Sequence, residues 1–239
     1  MDSSPDLQKY LDAAYVAQEV FVLRPDYRAL LVAVAGVTPQ PSDEFSEGLL
    51  QDAELSARAL LAKVPVNELP HIAAWREAYK AFGAKPNKTR NSLEALTRRT
   101  EAGLPRVNWL TDIYNATSVK HQIPFGGEDL DKYSSAPFLL RASGGENFKT
   151  TASGAKVIEH PNVGEVVWCD SQGITCRHWN WRQSPRTGLS ERTSRVLFIL
   201  DALEPISDDD LNAAADALVS ALQQSSKDLQ VARRLIGNE

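Results

Sequence analysis

Apolar positions along this chain fall into two kinds of pattern. Residues 19–24 (Glu-Val-Phe-Val-Leu-Arg) and 29–36 (Ala-Leu-Leu-Val-Ala-Val-Ala-Gly) are short, unbroken runs bounded by Pro25-Asp26 and Gly36, which predicts a buried strand or two. Pro41-Ser-Asp-Glu44 then marks a helix start, with Ser42 or Asp43 as N-cap and acids in the first turn, running to about Lys63. Ile72, Trp75, Tyr79 and Phe82 share the apolar face of a second helix over 70–82, closed by Gly83. A polar loop over 85–91 enters a third helix near Ser92 that ends at Gly103-Leu-Pro105, and residues 107–121 predict a fourth. The pattern then turns to strands at 139–143, 165–169 and 174–181, the last two joined as a hairpin by Asp170-Ser-Gln-Gly173, and at 195–200. An amphipathic helix follows over about 208–235, with Ser207 or Asp208 as its cap and acids at the positive end of its dipole. Strands mix with helices without strict βαβ alternation and without an internal repeat. That predicts an α+β or mixed α/β fold, mixed sheets flanked by helices, in a single domain over 1–239.

Composition narrows the class. The 239 residues are 43% hydrophobic and 24% charged, with two cysteines, which excludes disordered, collagenous and disulfide-scaffold proteins. No run of about 18 apolar residues predicts a membrane span, and the start Met-Asp-Ser-Ser-Pro lacks the regions of a secretion signal, so a cytoplasmic protein is expected. Cys169, Cys176 and four histidines leave little material for a metal centre; no metal and no cofactor are expected. No coiled-coil heptads point to an obligate assembly, which favours a monomer.

The formal charge of −5 hides an uneven distribution. Residues 76–106 carry eight basic side chains (Arg76, Lys80, Lys85, Lys88, Arg90, Arg98, Arg99, Arg106) against three acids, and from Asp201 onward eight acids stand against Lys227, Arg233 and Arg234. The average excludes an indiscriminate nucleic-acid coat, DNA included; the basic middle does not exclude selective contact with one RNA.

Two clusters carry candidate chemistry. In Cys176-Arg-His-Trp-Asn-Trp-Arg-Gln183, followed by Thr187, strand alternation puts Arg177, Trp179 and Trp181 on one face and His178, Asn180 and Arg182 on the other. Indole faces stack on bases or cations and an Arg fork grips phosphate or carboxylate; equally, the tryptophans would be core and the polar face solvated. In Ile123-Pro-Phe-Gly-Gly-Glu-Asp129, a Gly-Gly turn at Gly126 and Gly127 would let a ligand approach the backbone and offer N–H groups to an oxyanion, while Glu128 or Asp129 holds an amine or orients a water. The plainer alternative is a turn into a helix with acids in its first turn. No nucleophile elbow, Walker loop or dinucleotide fingerprint is present.

At these clusters the sequence resembles the B3/B4 domain, the tRNA-editing module of the bacterial phenylalanyl-tRNA synthetase β subunit, which also occurs in free-standing proteins. The resemblance rests on Leu104-Pro-Arg-Val-Asn108, Asp112-Ile-Tyr-Asn115, Pro124-Phe-Gly-Gly-Glu-Asp-Leu-Asp131, Gly164-Glu-Val-Val167 and 176–183, with Trp75-Arg-Glu-Ala-Tyr79 and Gly83-Ala-Lys-Pro86, and spans roughly 70–205. It implies a trans-editing aminoacyl-tRNA deacylase whose partner is the aminoacylated 3′ end of a tRNA; a non-catalytic tRNA- or amino-acid-binding module is the alternative. In the synthetase module a Thr-Asn pair, a His and a Glu line the pocket. Here the Asn falls on Asn115, Tyr114 replaces the Thr, the His position falls on Gly126 and the Glu position near Ile199. Loss of the group that reads a tyrosine hydroxyl argues against tyrosine as the substrate. Beside the resemblance, the chemistry of ester hydrolysis sets the expected catalytic group as Gly126, Gly127, Glu128 and Asp129, the aminoacyl site as Asn108, Asn115, Trp179, Asn180, Trp181, Arg182 and Thr187, and the tRNA contacts as Lys85, Lys88, Arg90, Arg98 and Arg99.

Overall fold

The computed structural model describes residues 5–238. In chain order the elements are α1 (Pro5–Asp12), β1 (Tyr15–Val16), α2 (Gln18–Leu23), β2 (Arg28–Ala35), α3 (Glu44–Leu61), α4 (Pro70–Ala81), α5 (Ser92–Thr97), α6 (Trp109–His121), β3 (Phe125–Asp129), β4 (Phe138–Arg141), β5 (Phe148–Ala152), β6 (Ala155–Glu159), β7 (Val166–Asp170), β8 (Gly173–Arg177), β9 (Arg182–Gln183), β10 (Arg195–Ala202), α7 (Asp208–Leu222) and β11 (Gln230–Ile236). They build an α+β fold around a four-stranded antiparallel sheet, β11-β2-β10-β3, and a five-stranded mixed sheet, β1-β4-β7-β8-β9, with β5-β6 as a separate hairpin.

β2 and β10 are near-continuous apolar runs because both faces of the four-stranded sheet are covered. Leu30, Val32, Val34, Val196, Phe198 and Leu200 pack against α6 and α7 through Trp109, Ile113, Leu211 and Leu218. The alternate residues Ala29, Leu31, Ala33, Leu197 and Ile199 pack against the five-stranded sheet and α4 through Trp75, Tyr79, Trp168 and Trp179. Each large side chain so buried stabilises the fold by about 1.5–3 kcal/mol.

Helix starts follow their caps. Asp43 caps α3 and Ser207 caps α7, each in a reciprocal capping box with the residue three on, and α4 opens on Pro70 and is followed by Gly83 at φ +87°.

Five expectations are corrected. Residues 19–23 are helical in α2, with Arg24 as its C-cap, since so short an apolar run does not distinguish strand from helix by period. α5 stops at Thr97, with turns over Arg98 to Ala102. The strand at 174–181 ends at Arg177, because His178 and Trp179 both take positive φ, 46° and 66°. Gly126 and Gly127 lie not in a turn but inside β3, paired with Ile199 and Phe198. The amphipathic pattern over 208–235 splits: α7 ends at Leu222, and β11 pairs antiparallel with β2, burying Val231 and Ala232. Cys169 and Cys176 are free thiols whose facing residues are Ile174 and Trp168 rather than each other. No helix among the described residues is long and apolar enough to cross a membrane.

Candidate functional site

A cavity of about 330 Å³ opens at the β3 edge of the four-stranded sheet, where it meets α5, α6 and the residues after β8. Six residues singled out in the sequence line it together: Asn115, Gly126, Glu128, Trp179, Asn180 and Trp181. Arg99, exposed on the turn after α5, stands at its rim. Tyr114, Trp168, Cys176, Gln183, Ile199 and Asp201 also line it; strand pairing brings these in across long sequence separations. Gly126 and Ile199, where the family resemblance places the His and the Glu, are direct neighbours across β3 and β10.

The two glycines differ in what surrounds them. A β carbon added at Gly126 would meet no atom within 4 Å, so its missing side chain is open cavity. At Gly127 it would stand 3.1 Å from the Tyr114 ring and 3.3 Å from Phe198, so that glycine serves packing. Their amides also part. The Asp201 N–H donates to the Pro124 carbonyl, and antiparallel alternation from that bond turns the Gly126 N–H toward β10 and the Gly127 N–H to the outer edge. On that edge the Gln183 side-chain amide donates to the Gly127 carbonyl at 3.0 Å.

Two carboxyls line the cavity in apolar surroundings. Glu128 is 2% exposed and its Oε2 is buried without a hydrogen-bond partner. Burial pushes its carboxyl up to about 7, only partly offset by the nearby Thr187, Tyr133 and Gln183 side chains and the Arg186 charge. Asp201 is likewise lifted to about 7 by burial. It accepts from the Tyr27 hydroxyl at 2.6 Å and from Asn180 Nδ2 at 3.2 Å, while Asn180 Oδ1 accepts from the Tyr79 hydroxyl at 2.9 Å. Asn180 is thereby held in one orientation by donor and acceptor at once. A carboxyl near neutrality can give or take a proton at physiological pH, as general acid–base chemistry requires.

The loop carrying Trp179, Asn180 and Trp181 is braced by Glu165. Its carboxylate accepts from Arg177 Nε at 2.8 Å and Nη2 at 2.7 Å, from the His178 backbone N–H at 3.3 Å, and contacts His178 Nε2 at 3.1 Å. Burial alone would raise this carboxyl; the Arg177 and His178 hydrogen bonds and charges hold it down at about 2. The consecutive positive-φ residues His178 and Trp179 are fixed further by Trp179 N–H to the Val166 carbonyl and Ser92 N–H to the Asn180 carbonyl. Trp179, fully buried, packs edge-on against Trp75 and Tyr27.

Other expected site residues lie outside the cavity lining. Asp129 faces away, accepting from Thr193 at 2.6 Å and paired with Lys132 at 3.2 Å, because its neighbour Glu128 takes the cavity face and alternation sends Asp129 to the other. Asn108 caps α6, accepting from the Thr111 N–H. Arg182 spends its fork on Glu159 and Thr150 of the β5–β6 hairpin and lies over the Trp181 ring. Thr187 is buried behind Glu128 rather than open to a ligand. Among the basic residues, Arg98 pairs with the buried Glu94 at 2.9 Å and Arg90 at 3.7 Å, as does Arg76. Three guanidiniums on one carboxylate leave a surplus of positive charge. Lys85, Lys88 and Arg99 are exposed, and no described carboxylate lies within ion-pair distance of them.

The solved N-terminal fragment of the phenylalanyl-tRNA synthetase beta-subunit from Pyrococcus horikoshii is similar at 12% identity over 91% of this chain, with a TM-score of 0.45. The chain spans about half the length of that structure, 49%. No curated protein matches. The family model of the B3/4 domain matches residues 74–226, a stretch that includes α5, α6, β3 and β10 and every residue lining the cavity, and the chain belongs to the B3/4 domain family.

Proposed function

We propose that this protein is an aminoacyl-tRNA deacylase that acts in trans, hydrolysing the ester between an amino acid and the 3′-terminal ribose of a mischarged tRNA. One observation carries the reading: a buried carboxyl, Glu128, with an unpartnered oxygen, faces a cavity whose floor is emptied by Gly126 and whose walls hold Asn115 and Asn180. The relation of the family to a tRNA synthetase subunit supplies the substrate class.

Ester hydrolysis needs a placed water, a site for the developing oxyanion and recognition of the amino acid. The water oxygen adds to the carbonyl carbon, the bond from that carbon to the ribose oxygen breaks, and the ribose oxygen leaves with a proton. No nucleophilic side chain is required. Glu128 holds the substrate α-amine or orients the water; its near-neutral carboxyl suits either task. Asn115 and Asn180 hold the aminoacyl group by hydrogen bonds, and Trp181 offers a face to the terminal adenine. The Gly127 N–H on the outer strand edge is the backbone donor for the oxyanion. Arg99 at the rim, with Lys85, Lys88 and the surplus charge around Glu94, meets the phosphates.

A panel of purified mischarged tRNAs tests the reading. Release of at least one amino acid above its spontaneous rate is expected, slowed by about 10²-fold or more in Glu128→Gln and lost in Gly126→Leu, which fills the open floor. Binding of tRNA without release from any member would leave the non-catalytic module in its place.

A further inference from the structure

The two buried carboxyls of the cavity share one face of one sheet. On β3 and β10 the register sets Glu128 opposite Leu197 and Gly126 opposite Ile199, and the Asp201 N–H donates to the Pro124 carbonyl. Glu128, Gly126, Ile199 and Asp201 therefore all project to the same side. The acids stand four residues apart in register, about 13 Å between backbones at the rise of a strand, and both line the same cavity. Midway lies the Gly126–Ile199 pair, where nothing stands within 4 Å of a β carbon at Gly126.

This is an open slot with an acid at each end and an apolar middle, and Trp168 and Trp179 line the same space. Glu128 supplies the independent sign of a ligand: it is 2% exposed, and its Oε2 has no hydrogen-bond partner. Asp201 accepts one hydrogen bond at each oxygen, from Tyr27 and from Asn180, with the Trp168 indole beside it, and no cation among these partners. The lining contains one basic residue, Arg99, exposed at the rim, so no cation of the protein sits between the acids. A buried carboxyl without a cation is costly, and a ligand cation that enters the site removes that cost.

We infer that the cavity takes an amino acid with two amines, its α-amine at Glu128 and a side-chain amine at Asp201, the side-chain methylenes crossing Gly126 and Ile199 beneath the indoles. The substrate class is then a basic amino acid of the lysine or ornithine kind carried on tRNA. The inference rests on the cavity being the amino-acid pocket of the deacylase. The indoles add attraction for an ammonium group, and an uncharged chain of equal length would leave Asp201 without its partner.

Lysinamide and norleucinamide, which differ by the terminal amine, separate the cases, with tryptophan fluorescence of the intact protein as readout because Trp168, Trp179 and Trp181 line the cavity. Lysinamide is expected to bind at least about ten-fold more tightly than norleucinamide. Asp201→Asn brings lysinamide to the norleucinamide level, and Glu128→Gln weakens both. Equal or tighter binding of norleucinamide, or no binding of either amide, overturns the inference, and that comparison needs no variant to fold. A lysinamide preference without release of any amino acid from tRNA would sink the deacylase reading alone. Release confined to tRNAs carrying uncharged side chains would sink this assignment and keep the deacylase.

Discussion

Glu128 binds a proton more tightly folded than unfolded, and this couples the site to stability. The folded carboxyl holds its proton up to about 7 against an ordinary value of 4.5, so folding takes up a proton between those limits. Stability from this group is therefore greatest below the lower limit, falls as pH rises through the window and is gone above it. A glutamine has no such proton to lose. Glu128→Gln is expected to gain on the wild type by up to about 3 kcal/mol between about pH 5 and about pH 8, read from urea midpoints at the two pH values. A pH-independent difference would show that the carboxylate is well solvated in the folded state. Glu128 was legible in the sequence because it follows two glycines. Asp201 was not: it ends an apolar run and counts with the acids of the C-terminal segment, and only the pairing of β10 with β2 and β3 reveals it as 2% exposed.

At the scale of elements, the loop after β8 is what turns a sheet edge into a lined cavity. Glu165 holds it by four contacts from Arg177 and His178, and it is 1% exposed. Glu165→Ala strands Arg177 beside half its partners and frees two residues held at positive φ. A loss of about 3–5 kcal/mol is expected in urea denaturation, together with a red shift of the tryptophan emission as Trp179 gains solvent; an unshifted spectrum would mean that packing alone holds the loop. Helices with caps and a clean period, such as α3 and α4, could be read from sequence because their signals are local. β3 could not, since a Gly-Gly pair looks like a turn until a partner strand is present, and the bend at His178-Trp179 carries no glycine to announce it. β11 looked helical because Val231, Ala232 and Leu235 fit either period.

For the whole molecule, a net charge of −5 coexists with exposed cations, Lys85, Lys88 and Arg99, that no described carboxylate neutralises. Much of the basic middle is neutralised locally: Arg106 is bound by Glu47 and Glu54, and Arg76, Arg90 and Arg98 gather on Glu94. Lys85 and Lys88 remain for a polyanion. Replacing both by alanine is expected to weaken tRNA binding and to flatten the log–log salt dependence by about 1.4–1.8; an unchanged slope would remove these two lysines from the interface. The charge imbalance was legible in the sequence, but its internal pairing was not, because Glu47 and Glu54 lie on a helix far upstream of Arg106.

β10 pairs on one side with residues 28–35 and on the other with residues 125–129, and it carries Asp201 itself. Without that strand, Glu128 has no neighbouring strand and the cavity lacks Ile199 and Asp201. The site thus exists only where segments 28–35, 125–129 and 195–202 are paired, and within no local unit. A ligand held between Glu128 and Asp201 would consequently select chains in which these segments are already paired, and would slow their unfolding more than it hastens their assembly.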